Sequence, residues 1–382
     1  MQIPTEPTIL LIERLLDGLA GEQLDRTMII PVGLRHLAAG TEATLVQAMV
    51  TWASAQRRPK LSLNTTGDAQ LENFSRTLSG MSAALLSEEA VDVSGTSVFG
   101  ALRKLALERL DGIQGENARA MSRGRQIEIV CADHLNRSAP VSLYITSADG
   151  SAKLKSRSGF NQLAKSIEEA IVPAQYREDL DRDFMPALAD ALYELFRNTE
   201  DHARRDENGN AIPRSLRGLQ ARLHSITPEA LQAMVSTSRP LAAYCDRLEP
   251  ARQGKAYVEL VEISVFDAGP GFAPRWLGRP FSQISFDDER MAVIDCFARH
   301  ASSKTATGSG QGLSNVIEVL RQRDGFLRLR TGRQSLYADL ARGRHQPFDA
   351  PAELLDWRSS RPPMAPVTGS LLTLLMPLTY PR

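Results

Sequence analysis

Apolar residues recur along this chain with two periods, which predict strands where they alternate and helices where they repeat every three to four positions. In the first third the two patterns follow each other in turn, which predicts a small α/β layer. Its strands are expected at 27–34 and 60–64, and its helices at 41–57, 68–88 and 99–113.

A second group of segments connects this layer to the rest of the chain. Its expected elements are strands at 126–131 and 141–147, a polar loop at 150–158 and a helix at 160–172 that Pro173 ends. We therefore divide the chain into an N-terminal α/β domain (1–120), connecting strands and a helix (121–174), and a third part (175–382).

The third part begins with a long amphipathic helix, expected at 179–204, and its clearest strand is the alternating β-branched run 256–267. The other expected elements are a strand at 215–225, helices at 228–247 and 313–322, strands at 326–331 and 370–377, and a loop at 341–366. Together these elements predict a second α/β unit.

Composition restricts the function classes. The 382 residues include 42% hydrophobic ones, and 45 basic residues balance 45 acidic ones, so a protein that coats nucleic acid is not expected. A basic cluster at Arg321, Arg323, Arg328, Arg330 and Arg333 is more consistent with a solvated sheet face than with a nucleic-acid site.

Nothing in the sequence predicts export or membrane insertion. No apolar run approaches the roughly 20 residues of a membrane span, and no signal peptide precedes the first strand. The three cysteines are widely spaced and odd in number, which favours a reducing compartment over a disulfide framework or a zinc site. A cytoplasmic protein is expected.

Two polar residues lie one turn apart on the predicted helix 179–204. Glu194 and Asn198 share one helix face, where a carboxylate can accept a proton and an amide oxygen can bind Mg²⁺. Asp201 and His202 follow as candidate contacts near phosphate groups. The alternative is an ordinary solvated helix face.

A second candidate segment follows the strand 256–267. Asp267 ends a run that reads as buried, and a buried carboxylate needs hydrogen-bond donors, which an adenine amino group can supply. Gly269 and Gly271 remove side chains and would let a base lie against the backbone. The alternative is a simple turn.

A third candidate segment is rich in glycine. Gly308, Gly310 and Gly312 precede a helix that begins near Leu313, and backbone N–H groups at a helix N-terminus attract phosphate. The spacing fits neither the Walker motif nor a dinucleotide fingerprint. Lys304 lies just upstream and is a candidate lid residue; the alternative is a flexible linker with a solvated lysine.

In this order, the segments resemble the histidine-kinase-like ATPases, the group that includes the ATPase domains of DNA gyrase, heat-shock chaperones, sensor kinases and mismatch-repair proteins. The matching positions are Glu194 and Asn198 with Asp201 and His202 in the asparagine box, Asp267, Gly269 and Gly271 in the first glycine box, Gly308, Gly310, Gly312 and Leu313 in the second, and Ser370 where the family usually has threonine. The resemblance covers about half of the chain.

The resemblance implies a Bergerat-type α/β sandwich, in which helices cover one face of a mixed sheet, and it implies ATP and Mg²⁺ as ligands. Glu194 would be the general base, Asn198 the magnesium ligand and Asp267 the adenine contact. We expect slow ATP hydrolysis that drives a conformational switch. An anti-sigma-type protein serine kinase and a non-hydrolysing ATP sensor are the alternatives.

The sequence departs from the sensor kinases in one respect. Neither His36 nor His134 lies in a paired-helix pattern, so autophosphorylation on histidine is not expected. Homodimerisation, or a protein partner that binds the N-terminal domain, is expected by analogy with the family.

Overall fold

The protein is described by a computed structural model, which covers residues 1–19, 27–35, 38–65, 67–115, 121–177, 184–248, 258–298, 312–343, 353–359 and 363–378. Over these ranges the fold is mixed α/β. None of the helices in them is long and apolar enough to cross a membrane.

The helices are α1 (Ile9–Leu19), α2 (Thr41–Ala55), α3 (Asp68–Ser75), α4 (Leu78–Leu86), α5 (Phe99–Gln114), α6 (Arg157–Ile171), α7 (Ala174–Arg177), α8 (Phe184–His202), α9 (Pro228–Thr237), α10 (Arg239–Arg247), α11 (Phe272–Leu277), α12 (Phe286–Phe297) and α13 (Gly312–Gln322). The strands are β1 (Met28–Ile30), β2 (Lys60–Leu63), β3 (Glu89–Val91), β4 (Gln126–Cys131), β5 (Tyr144–Thr146), β6 (Ala152–Leu154), β7 (Arg217–Ile226), β8 (Val258–Phe266), β9 (Phe326–Gly332), β10 (Gln334–Asp339), β11 (Leu355–Asp356) and β12 (Val367–Pro377).

The N-terminal alternation of strands and helices builds a small parallel sheet in the order β1-β2-β3. The single helix expected at 68–88 is two helices, because Thr77 starts a new one. Its side-chain oxygen accepts a hydrogen bond from the Gly80 N–H at 2.9 Å, which caps α4.

The central sheet has the strand order β11-β10-β9-β12-β8-β7-β4. All of its pairings between described residues are antiparallel, so the expected mixed sheet is wrong. β10 was not expected and follows β9 as a tight hairpin, in which Gln334 pairs with Thr331. β6 lies inside the expected loop 150–158 and pairs with β5.

One face of the central sheet is apolar. Leu219, Val265, Leu372 and Leu329 lie in register across four neighbouring strands. Helices α6, α8 and α13 contact strands of this sheet, and α8 packs against both α6 and α13. The long amphipathic helix is therefore held by the core, with its polar positions at the edge of the packed layer.

The other face of the sheet is polar but buried. It carries a row of side chains in register across five strands: Glu128, Gln220, Ser264, Thr373 and Arg328. Helices α1 and α2 cover this row. Glu42 on α2 accepts a hydrogen bond from Gln220 at 3.0 Å, and Thr44 accepts one from Arg328 at 2.9 Å. The expectation that helices cover only one face is wrong.

Two arginines of the basic cluster lie at the centre of this buried layer. Arg328 and Arg330 both donate to Oε1 of Glu13 on α1, each at 3.0 Å, and the three side chains are at most 2% exposed. The solvated sheet face expected for them is therefore wrong. The largest cluster of buried apolar residues has members from Ile3 to Leu378, while the division of the chain at 120 and 175 stays a prediction.

The buried ion pairs of Glu13 make a prediction for stability. Glu13→Gln keeps the shape of the side chain but leaves two buried guanidinium groups without a carboxylate, so unfolding in urea should become easier by about 3–5 kcal/mol. Asp17→Asn on the same helix is the matched control. Asp17 pairs at 3.4 Å with Arg358 near the surface, and its loss should cost below about 1 kcal/mol. Equal effects of the two variants would contradict this account.

Candidate functional site

The polar face of α8 carries Glu194 and Asn198 on successive turns. Glu194 is only 7% exposed, whereas Asn198 is half-buried. Within the described part of the chain, the Asn198 amide makes no hydrogen bond. The side-chain oxygen of Asn198, the predicted magnesium ligand, is therefore free within that part of the chain. Glu194, the predicted base, is largely shielded from solvent.

Glu194 lies directly against the first residue of α13. A Cβ atom placed on Gly312 would come 2.5 Å from Oε2 of Glu194 and 3.1 Å from its Cβ, so no side chain fits there without a shift. Leu313, which is 7% exposed, anchors the same turn in the core. Glu194 and Gly312, 118 positions apart in the chain (312 − 194), thus lie in contact.

A residue that the sequence analysis missed also contacts Glu194. Arg157, the first residue of α6, donates from Nη2 to Oε1 of Glu194, and its Nη1 lies 3.5 Å from Oδ1 of Asp190. Arg157 belongs to the segment expected to be a polar loop, so its sequence offered no signal. The site therefore includes a cation from the connecting part of the chain.

Asp267 follows β8, and backbone N–H groups of two other residues hold one of its carboxyl oxygens. Oδ1 accepts hydrogen bonds from the N–H groups of Gly269 at 2.8 Å and Ser370 at 3.2 Å. Oδ2 accepts none from any residue that the structure describes. Burial raises the pKa of Asp267 to about 6, although these two N–H groups favour the charged form.

The glycines after Asp267 allow close approach of neighbouring backbone. A Cβ on Gly269 would lie 2.8 Å from Cα of Ala203, at the end of α8. Gly271 has φ +88°, and a Cβ there would lie 2.8 Å from Oγ1 of Thr331. Both glycines are therefore needed for the fold of this turn, whatever else they contact.

Helix α8 connects the two halves of the site. Glu194 meets Gly312 near the middle of the helix, and Ala203 meets Gly269 just after its end. At 1.5 Å rise per residue these contacts are about 14 Å apart along the helix. Asn198 lies between them.

The structure assigns the remaining predicted residues less central positions. Asp201 is exposed and pairs with Arg197 at 3.4 Å along α8. His202 is half-buried, and its carbonyl accepts a hydrogen bond from Nε of Arg275 at 3.1 Å. Ser370 supplies its N–H to Asp267, and its Oγ lies 3.2 Å from Oγ1 of Thr331.

Three predicted site residues, Lys304, Gly308 and Gly310, lie outside the described residues, as does His36. His134 is described, and its two ring nitrogens lie 2.9 Å and 3.2 Å from the carbonyl oxygens of Ser215 and Leu85. Burial lowers the pKa of His134. Its ring is held between two backbone carbonyls.

Comparison with known proteins does not assign this chain to a family. No protein-family model matches it, and a search of curated proteins finds no significant match. The class that is established is a mixed α/β protein with an antiparallel central sheet. The function is therefore argued from the site itself.

The contact between Gly312 and Glu194 makes a prediction. Gly312→Ala places a methyl group against a buried carboxylate, so the free energy of unfolding should fall by about 1–3 kcal/mol. Gly100→Ala is the matched control, since Gly100 is also near a helix start and a Cβ there meets no atom within 4 Å. That change should be neutral or stabilise by up to about 1 kcal/mol. Urea unfolding of both variants tests the prediction, and a Gly312→Ala variant as stable as wild type would contradict the close contact.

Proposed function

We propose that this protein binds ATP with Mg²⁺ in the manner of the histidine-kinase-like ATPases and hydrolyses it slowly to drive a conformational switch. The observation that carries the proposal is the convergence along α8: Glu194 lies against Gly312, and Ala203 lies against Gly269 beside Asp267. Five residues from three separate segments thus lie along one helix, which supports the proposal of one elongated site.

Asp267 would bind the adenine end. Its Oδ1 is already bonded to two backbone N–H groups, while Oδ2 remains available to accept a hydrogen from an exocyclic amino group. Such a donor would also lower the cost of ionising a carboxyl whose pKa burial raises to about 6. Gly269 lets the turn after Asp267 pack closely against Ala203.

The triphosphate would extend along α8 toward α13. The N-terminus of α13 carries partial positive charge that stabilises phosphate. Asn198 offers a hard oxygen to Mg²⁺, which usually keeps several waters and few protein ligands. Glu194 is the acid beside this end and would accept the proton of the attacking water.

Loss of the general base tests the hydrolysis step. Glu194→Gln should lower phosphate release from Mg-ATP by about 10²- to 10⁴-fold with little change in ATP affinity. Glu169→Gln, which changes an exposed carboxylate on α6 that pairs with Lys165 at 3.9 Å, is the control and should match wild type. Equal turnover in all three proteins would remove Glu194 from the mechanism.

Two further outcomes of this assay distinguish the alternatives. If wild type binds ATP without releasing phosphate, a non-hydrolysing sensor is the better description. If the γ-phosphoryl group of labelled ATP appears on a serine of a co-purified protein, this chain acts as a protein serine kinase on that partner.

The adenine contact makes a separate prediction. Asp267→Asn replaces the acceptor with an amide and should weaken ATP binding about 10- to 100-fold above pH about 7, the loss of a hydrogen bond to a charged group. Calorimetric titration measures it. Asp246→Asn, exposed on α10, is the control and should bind ATP as wild type does.

The raised pKa of Asp267 determines how this difference varies with pH. Binding needs the charged carboxylate, so the advantage of wild type over Asp267→Asn should shrink as pH falls through about 6. The stability effect has the opposite sign. Because the folded state holds this proton more tightly than the unfolded state, the free energy of unfolding decreases as pH rises to about 6. Asp267→Asn should therefore be at least as stable as wild type above that pH. A binding ratio that does not change with pH would contradict the adenine assignment.

A further inference from the structure

We propose, on the basis of the function above, that Arg157 is a positioning residue for Glu194. Arg157 holds Oε1 of the carboxylate and so directs Oε2 toward the start of α13 as the proton acceptor. Arg157 lies outside the segments that resemble the ATPase family. The proposal therefore adds a residue from the connecting part of the chain to the working site.

The geometry of the guanidinium supports this role. Its two terminal nitrogens point to two carboxylates on α8, Nη2 to Glu194 and Nη1 to Asp190 at 3.5 Å. The guanidinium carbon also lies 4.9 Å from the ring centroid of Tyr193, which is a cation–π distance. These contacts with Asp190, Tyr193 and Glu194 of α8 together fix the plane of the guanidinium group.

The surface on which Arg157 rests is packed against the hydrophobic core. The Tyr193 ring packs edge-on against Phe160 of α6, with ring centroids 5.4 Å apart, and Phe160 is fully buried. Helices α6 and α8 are in extensive contact. The position of Arg157 relative to Glu194 is therefore set by helix packing rather than by the ion pair alone.

The Glu194 carboxylate needs a partner such as Arg157 to fix its orientation. The last torsion of a glutamate side chain is broad and permits either oxygen to take either position. In the structure Oε1 is bound by Arg157, and Oε2 is the oxygen next to Gly312. Among described residues no group donates a hydrogen bond to Oε2. One oxygen is thus committed to the protein and the other is available for chemistry.

The step that this arrangement serves is a hydrolytic displacement. The oxygen of a water molecule bonds to the γ-phosphorus as the bond from that phosphorus to the β,γ-bridging oxygen breaks, and the water proton passes to Oε2 of Glu194. ADP and inorganic phosphate leave, and the proton is then released to solvent. Arg157 stays charged throughout and contacts neither the water nor the nucleotide.

Steady-state hydrolysis of Mg-ATP by Arg157→Gln tests the assignment, with ATP binding measured by calorimetry. The expected result is a fall in kcat of about tenfold or more, with KM and the Kd for ATP within about twofold of wild type. Arg157→Lys should recover part of kcat. In the Glu194→Gln background Arg157→Gln should cause no further loss, because the two residues act as a unit.

A matched control separates positioning from simple loss of an ion pair. Lys165→Gln removes another cation of α6, which pairs at 3.9 Å with Glu169 and is not among the contacts of Glu194 or Arg157 described above, so kcat should stay near the wild-type value. The arginine side chain is 42% exposed but that of Glu194 only 9%, so Arg157→Gln leaves a buried carboxylate without its cation and should lower the urea midpoint. Kinetics are therefore compared without urea, after unfolding curves show that the variant is folded there.

Several results would overturn the proposal. A rise in KM or Kd would mean that Arg157 contacts the nucleotide itself, and a rise in kcat would mean that it restrains Glu194. Unchanged kcat in an active enzyme, or additive losses in the double variant, would sink this inference alone. A wild type that binds ATP without hydrolysing it would remove both the hydrolysis and the role of Arg157. A wild type that does not bind ATP would remove the proposed function as a whole.

Discussion

Burial of charge on the second face of the central sheet is the constraint on which this fold depends. Arg328 and Arg330 are nearly inaccessible to solvent, and isolated buried charges cost far more than a protein of this size can tolerate. Glu13 supplies the compensating carboxylate from α1. The same face buries Glu262, which accepts hydrogen bonds from the Gly40 N–H at 2.9 Å and Ser264 at 2.7 Å and contacts His224 at 2.6 Å. The N-terminal helices are therefore required partners of the sheet.

Covering both faces fixes the strand ends on which the proposed site is built. The Asp267 N–H donates to the Ser370 carbonyl at 3.0 Å, and the Ser370 N–H returns to the Asp267 side chain, so β8 and β12 hold each other at this end. The apolar face holds α8 in one position between α6 and α13. Glu194 and Asp267 thus occupy fixed places on one frame, as a preorganised site requires.

Local patterns predicted much of this arrangement. The strand Gln126–Cys131 agrees with expectation at both ends, and the contacts of Glu194 with Gly312 and of Ala203 with Gly269 bring the predicted segments together. What could not be predicted depends on tertiary partners. An alternating strand with arginines at every second position looks like a solvated face unless Glu13 is known to lie across from it. Arg157 gave no signal because its role comes from helix packing.

Two hydrogen bonds connect the N-terminal part of the chain to β12 and β8. Thr51 of α2 accepts a hydrogen bond from the Thr368 N–H at 3.0 Å, two residues before Ser370. Gly40, just before α2, binds Glu262 in β8, the strand that leads to Asp267. The N-terminal layer therefore contacts both strands whose ends hold the Asp267 carboxylate. Because packed layers resist small displacements, these contacts restrain β8 and β12 near Asp267. The N-terminal layer is in this sense the structural support of the proposed site.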